Sequence, residues 1–134
     1  GLADANSREI NATSSNIVID IMEEQKAGLN DNMRMGNFDC GLIDGSKLKE
    51  IYGANCIQER HHHRYEFNNK YKEQFEEAGM KCVGINPDTK LVEAVEVAEH
   101  PWYIGVQYYP QYNSTVLKPH PLFLAFIKAA IEGK

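Results

Sequence analysis

KCVGINPDTKLVEAVEVAEHPWYIGVQY, residues 81–108, decides the fold of this chain. Runs rich in β-branched and aromatic residues at 81–86, 91–97 and 102–108 read as three strands. The turn Pro87-Asp88-Thr89 joins the first two as a tight hairpin. Strands so close in sequence pair locally, so an antiparallel or mixed arrangement is expected here.

Working outward, residues 17–22 (IVIDIM) form a short β-branched run between the polar NATSSN and EEQKAGLNDN, which predicts a buried strand followed by a loop. Residues 39–43 read as a weak strand closed by Asp44-Gly45. Ser46 then caps a brief helix over residues 47–52, and Gly53 ends it. In residues 69–78, Tyr71, Phe75 and Ala78 recur at helical spacing while lysines and glutamates face outward. Asn68 or Asn69 is the cap and Gly79 the stop of this amphipathic surface helix. Pro121 opens a last helix, LFLAFIKAAIEGK, apolar on nearly every side and therefore expected to be buried against a sheet. Alternation of strands and helices makes the chain α/β.

A chain of 134 residues, 43% hydrophobic and 25% charged, suffices for one domain with its own core. Its net charge of -5 offers no basic footprint, which argues against nucleic acid or an anionic membrane surface as partner. No apolar run approaches the about 18 residues of a membrane span, and GLADANSREI lacks the regions of a signal peptide. A cytoplasmic location is expected, and the sequons at Asn11 and Asn113 then carry no meaning. Cys40, Cys56 and Cys82 show no CxxC spacing, and each sits in an apolar or strand-like stretch. All three are expected to be small buried hydrophobes rather than nucleophiles. Neither a glycine-rich loop between strand and helix nor an exposed-nucleophile turn such as GxCxG is present.

Two dense motifs stand out. ERHHHRYEFNN, residues 59–69, is too charged for a core strand and marks a solvated face or a site. If the run is a strand, only His61 and His63 of its histidines share a face, and no carboxylate or Cys at ligand spacing completes a metal site. No metal is expected, and surface or supporting roles are assigned to these rings. The second motif is QYYPQY, residues 107–112, directly after HPWYIGV. Taken alone, Tyr109 and Gln111 are a tyrosine and a glutamine packing at the end of a buried strand. Ser114 reads as a turn cap, and His100 and His120, each before a proline, as boundary residues.

ERHHHRYEFNN, HPWYIGVQYYPQY, PHPLFLAFIKAA (residues 119–130) and ANSREI (residues 5–10) together resemble the class I glutamine amidotransferase domain of the CTP synthase family. The likeness runs over nearly all of residues 1–134, with residues 26–32 aligning poorly. It implies a flavodoxin-like α/β fold present only in its C-terminal part. In that family glutamine hydrolysis supplies ammonia to a synthetase domain, which uses ATP and Mg to aminate UTP to CTP. The resemblance implies no cofactor for this chain. It places the Cys nucleophile and the oxyanion glycine loop upstream of Gly1, and glutamine-binding residues at Glu9 and Arg64. An acidic partner for the substrate ammonium and a guanidinium for its carboxylate suit that role.

The family's catalytic His and Glu fall at Tyr109 and Gln111. A tyrosine hydroxyl, with an ordinary pKa of about 10, accepts protons poorly near neutrality, and a glutamine supplies no charge to orient a base. Loss of such a base costs about 10⁶ in one worked protease case. Further departures are NDNMRMG at residues 30–36, where the family has GGTMRLG, and His62 in place of an Arg. Three roles stay open at this stage: a segment of a CTP synthase glutaminase, inactive alone; a pseudo-glutaminase that recognises glutamine or a partner chain without catalysis; and an assembly element. Expected partners are L-glutamine, the N-terminal part or synthetase domain, and a second copy in a homo-oligomer.

Overall fold

The computed structural model describes residues 1–22 and 33–133. A small sheet contains β1 (Ala5–Ser7), β2 (Asn16–Asp20) and β5 (Glu66–Phe67), in the order β1-β2-β5. A larger sheet of five strands contains β3 (Arg34–Leu42), β4 (Cys56–His63), β6 (Met80–Ile85), β7 (Val92–Val97) and β8 (Ile104–Val106), in the order β4-β3-β6-β7-β8. Every pairing in the larger sheet is antiparallel, and β1–β2 is the parallel pair among the described residues.

The β6–β7 hairpin forms as its turn chemistry dictates. The Asn86 side-chain oxygen accepts from the Asp88 and Thr89 amides at 3.0 and 2.9 Å, while its NH₂ donates to the Asp39 carbonyl at 3.0 Å. That second bond ties the turn to β3. Helix α1 (Lys47–Tyr52) is capped by Ser46, whose hydroxyl accepts from the Lys49 amide at 3.1 Å, and closes on Gly53 at φ 65°. A 3₁₀ turn (Asn69–Tyr71) capped by Asn68 leads into α2 (Lys72–Glu77), and Gly79 at φ 96° reverses the chain. A second 3₁₀ turn (Pro110–Asn113) precedes α3 (Pro121–Glu132).

Successive residues of a strand face opposite sides. Val83 therefore joins the core of Cys40, Leu42, Leu48, Ala94, Tyr108 and Leu122 beneath α1 and α3. Cys82 instead joins Phe67 and Val92, with Tyr71 and Phe75 from the α2 side. Gly84 is fixed by packing: an added Cβ would meet Ala94 Cβ and Cys40 Sγ, each at 2.8 Å.

Three expectations are corrected. The charged run of residues 59–69 is not merely a solvated face: it builds β4 and β5, with Glu59, His61, Glu66 and Phe67 buried. Ile57 sets the phase, so Glu59, His61 and His63 follow it inward while Arg60 and His62 point out. Helix α3 buries Leu122 but leaves Phe126, Ile127 and Ile131 at least half exposed, because apolar composition supplies no partner by itself. Cys40 and Cys82 are buried as expected, whereas Cys56 is exposed at the start of β4. Residues 26–32, where the family alignment is poor, lie outside the described residues in full.

Candidate functional site

A polar cleft of 540 Å³ opens where the two sheets meet, lined by Glu9, His62, His63, Arg64, Gln107 and Tyr109 among others. Three of the four residues singled out from sequence, Glu9, Arg64 and Tyr109, therefore share one cleft. Gln111 does not line it and is exposed in the 3₁₀ turn that follows.

Hydrogen bonds station the segments that carry Glu9, Arg64 and Tyr109. The turn after β1 is closed by the Ile10 and Asn11 amides on the Ser7 carbonyl, at 3.0 and 2.9 Å, and the Glu9 amide donates to the Ser7 hydroxyl at 3.3 Å. Arg8 locks the turn to β2 through a charged pair with Asp20, including a 2.9 Å bond to Oδ2. Arg64 lies in the link between β4 and β5, whose Tyr65 carbonyl accepts from His63 Nδ1 at 3.1 Å. The Tyr109 amide donates to the Arg60 carbonyl at 2.9 Å, holding the segment after β8 against β4. Pro110 then forces the turn that carries Gln111 away.

Strand β4 contributes to two buried polar clusters that sequence reading missed. In the first, Arg34 reaches Glu66 Oε1 at 3.1 Å and Glu93 Oε1 at 2.8 Å, and stacks over Phe38 with Cζ 4.4 Å from the ring centre. His61 Nδ1 lies 2.7 Å from His63 Nε2, so the predicted convergence of these rings occurs. Burial, followed by the Arg34 charge, pushes the His61 ring down to about 3 and His63 to about 4. Burial pushes the Glu66 carboxyl up to about 7 and raises Glu93 as well, in both cases against the pull of Arg34.

In the second cluster Glu59 Oε1 accepts from His120 Nε2 at 2.7 Å and from the Tyr52 hydroxyl at 2.9 Å, while Oε2 accepts from Asn113 at 2.7 Å. His120 Nδ1 accepts from the Leu122 amide at 3.2 Å, which caps α3 and leaves the ring hydrogen on Nε2 for Glu59. His120 is thus more than a boundary residue: it is a buried cap. The signal for both clusters was the inward phase set by Ile57, but their partners lie up to 61 residues away along the chain.

Among the described residues no group of His, Cys, Asp and Glu has the arrangement of a metal site. Burial pushes the Cys40 thiol up to about 12 and the Cys82 thiol up to about 11, so neither provides a thiolate. No helix among these residues is long and apolar enough to cross a membrane. The cleft brings together a carboxylate, a guanidinium and a phenol, carried by Glu9, Arg64 and Tyr109.

The family model for class I glutamine amidotransferases matches residues 5–129. The chain belongs to this family. CTP synthase of Bacteroides thetaiotaomicron is 59% identical over 136 residues, covering 100% of this chain and 25% of that protein. CTP synthase of Bacteroides fragilis is 60% identical over 134 residues, covering 98% and 25%. The glutaminase domain of Trypanosoma brucei CTPS, solved with bound acivicin, superposes with a TM-score of 0.89 at 35% identity, covering 96% of this chain and 51% of that one. The amidotransferase chain thus spans about a quarter of the length of its curated relatives and about half of the solved domain. Its mixed α/β architecture is the class I amidotransferase fold.

Proposed function

We propose that residues 1–134 are the C-terminal part of a CTP synthase glutaminase domain, contributing the glutamine-binding face of the site but no competent proton-transfer pair. The observation that carries this is the convergence of Glu9, Arg64 and Tyr109 on one cleft. The α-ammonium of L-glutamine pairs with Glu9 and its α-carboxylate with Arg64, a charge pattern that orients as well as attracts. The side-chain amide is then directed toward the edge held by Tyr109. A phenol is a poor base there, and Gln111 neither carries charge nor lines the cleft.

Glutamine hydrolysis consequently needs a nucleophile and a base from elsewhere, and the chain alone releases no ammonia. In the complete protein the ammonia would pass to a synthetase domain that aminates ATP-activated UTP; that domain and the N-terminal part of the glutaminase are the expected partners. Calorimetric titration of the 134-residue chain with L-glutamine should show binding that Glu9→Ala and Arg64→Ala each weaken. Ammonia release should equal the blank. Turnover by the pure chain, or binding indifferent to both substitutions, would overturn this assignment. Supplying the N-terminal part in trans should restore hydrolysis only when Tyr109→His and Gln111→Glu are combined.

A further inference from the structure

The Arg34 cluster contains a hydrogen-bonding inconsistency that one proton resolves. His63 Nδ1 faces the Tyr65 carbonyl at 3.1 Å and Glu66 Oε1 at 3.5 Å. Both are acceptors, so Nδ1 bears the ring hydrogen. A neutral His63 then has a bare Nε2, and His61 Nδ1, 2.7 Å away, must donate to it. A neutral His61 is in turn bare at Nε2. That nitrogen faces Glu93 Oε2 at 3.2 Å, both side chains are fully buried, and neither atom has a hydrogen-bond partner. Two lone pairs opposed in a dry interior repel, and an unsatisfied buried pair is costly.

Charge balance indicates the same missing proton. One guanidinium serves two buried carboxyls, leaving an excess negative charge if both are ionised. The two carboxyls differ in what faces them. Glu66 meets only donors, Arg34 Nη1 at 3.1 and 3.3 Å and the His63 Nδ1 hydrogen, a setting that favours its charged form over that of Glu93. Glu93 accepts from Arg34 through Oε1 at 2.8 Å but presents Oε2 to an acceptor.

We infer that Glu93 holds a proton against His61, and that Glu93, His61 and His63 form one directional relay, each donating to the next and ending on the Tyr65 carbonyl. The relay fixes the turn that carries Arg64, which makes Glu93 a positioning residue for the cleft although it touches no ligand. Burial supports this distribution, since it disfavours charge on both rings and on the Glu93 carboxyl. The link to ligand affinity rests on the proposed glutamine site, whereas the relay itself does not.

Long-range ¹H–¹⁵N correlation of the ¹⁵N-histidine-labelled full chain near neutral pH reads the tautomers directly. Both His61 and His63 should be neutral and protonated on Nδ1. An imidazolium, or an Nε2-protonated ring at either position, overturns the relay. Glu93→Gln should keep both tautomers, because an amide donates to His61 and accepts from Arg34 as the protonated acid does. Glu93→Leu removes the donor, so the His61 Nε2 resonance should shift to that of a ring nitrogen accepting no hydrogen bond while Nδ1 keeps its hydrogen. Loss of tautomer order in the Gln variant also overturns the proposal, and this arm remains decisive should the Leu variant fail to fold. Glutamine affinity should stay within about twofold in the Gln variant and fall about tenfold in the Leu variant, the equivalent of about one hydrogen bond. A wild-type chain that binds no glutamine would strike the site assignment alone, since the tautomers judge the relay independently.

Discussion

The two buried clusters behind β4 use the same residue types to opposite ends. Around Glu59 every facing group is a donor: His120, Tyr52 and Asn113 all give hydrogens to a single carboxylate, which ties β4 to α1, to the 3₁₀ turn and to the cap of α3. Around Arg34 donors and acceptors do not match until one carboxyl is protonated, and the string of bonds runs out to the wall of the cleft. A closed cluster fixes architecture; an open one, one proton short, can set the geometry of a site. Strand β4 serves both because its inward positions 59 and 61 look toward different neighbours.

The severest way to break the contrast is Arg34→Met. Removing one member of a buried ionic group leaves its partners uncompensated, and a loss of about 3–5 kcal/mol is expected by urea unfolding near neutral pH. Without the cation, Glu66 and Glu93 must both be neutral in the folded chain, so the variant should regain stability as pH falls toward 5. Absence of that recovery would show that the carboxyls are not what Arg34 balances.

The pH profile of the unaltered chain is the next test. His61 and His63, depressed from 6.5 to about 3 and about 4, contribute stability that is present above pH 6.5 and is lost as pH falls through the folded values. Glu66, raised from 4.5 to about 7, and Glu93, also raised, contribute stability that is present below pH 4.5 and is lost as pH rises through their folded values. Between 4.5 and 6.5 the two trends oppose and a plateau is expected. Below pH 4.5 only the histidine trend remains, each ring costing at most about 1.4 kcal/mol per pH unit. A steep slope across the plateau in denaturation measured at several pH values would contradict this assignment.

One substitution made at both clusters sharpens the comparison further. Glu59→Gln puts an NH₂ against groups that already donate, and a loss of about 2 kcal/mol is expected. Glu93→Gln reproduces a protonated acid, and the change should stay within about 0.5 kcal/mol. Equal losses in thermal or chemical unfolding would erase the distinction.

Much of the fold was legible because its signals are local. Ser46 and Gly53 bracket α1, Pro121 opens α3, and residues 81–97 announce a hairpin through a turn that Asn86 completes. The cleft was partly legible, with Glu9, Arg64 and Tyr109 marked through the resemblance rather than through any periodicity. Glu93 was unreadable because Arg34, the charge that makes its burial tolerable, stands 59 residues earlier in the sequence. The charged run of β4 misled for the same reason: polarity argues for solvent only when no partner is waiting inside. Exposure of the α3 apolar face was hidden by the converse, since composition reveals a need for cover and not its provision.

The Asn86 turn also bears on how the chain finds its structure. It nucleates a hairpin whose strands lie close in sequence, whereas the small sheet must close long loops before β5 meets β2. The hairpin is thus placed to form first and to template β3 through the Asn86 to Asp39 bond. Asn86→Ala should accordingly slow refolding more than it speeds unfolding in stopped-flow measurements, placing the earliest structure of this chain at its most local pairing.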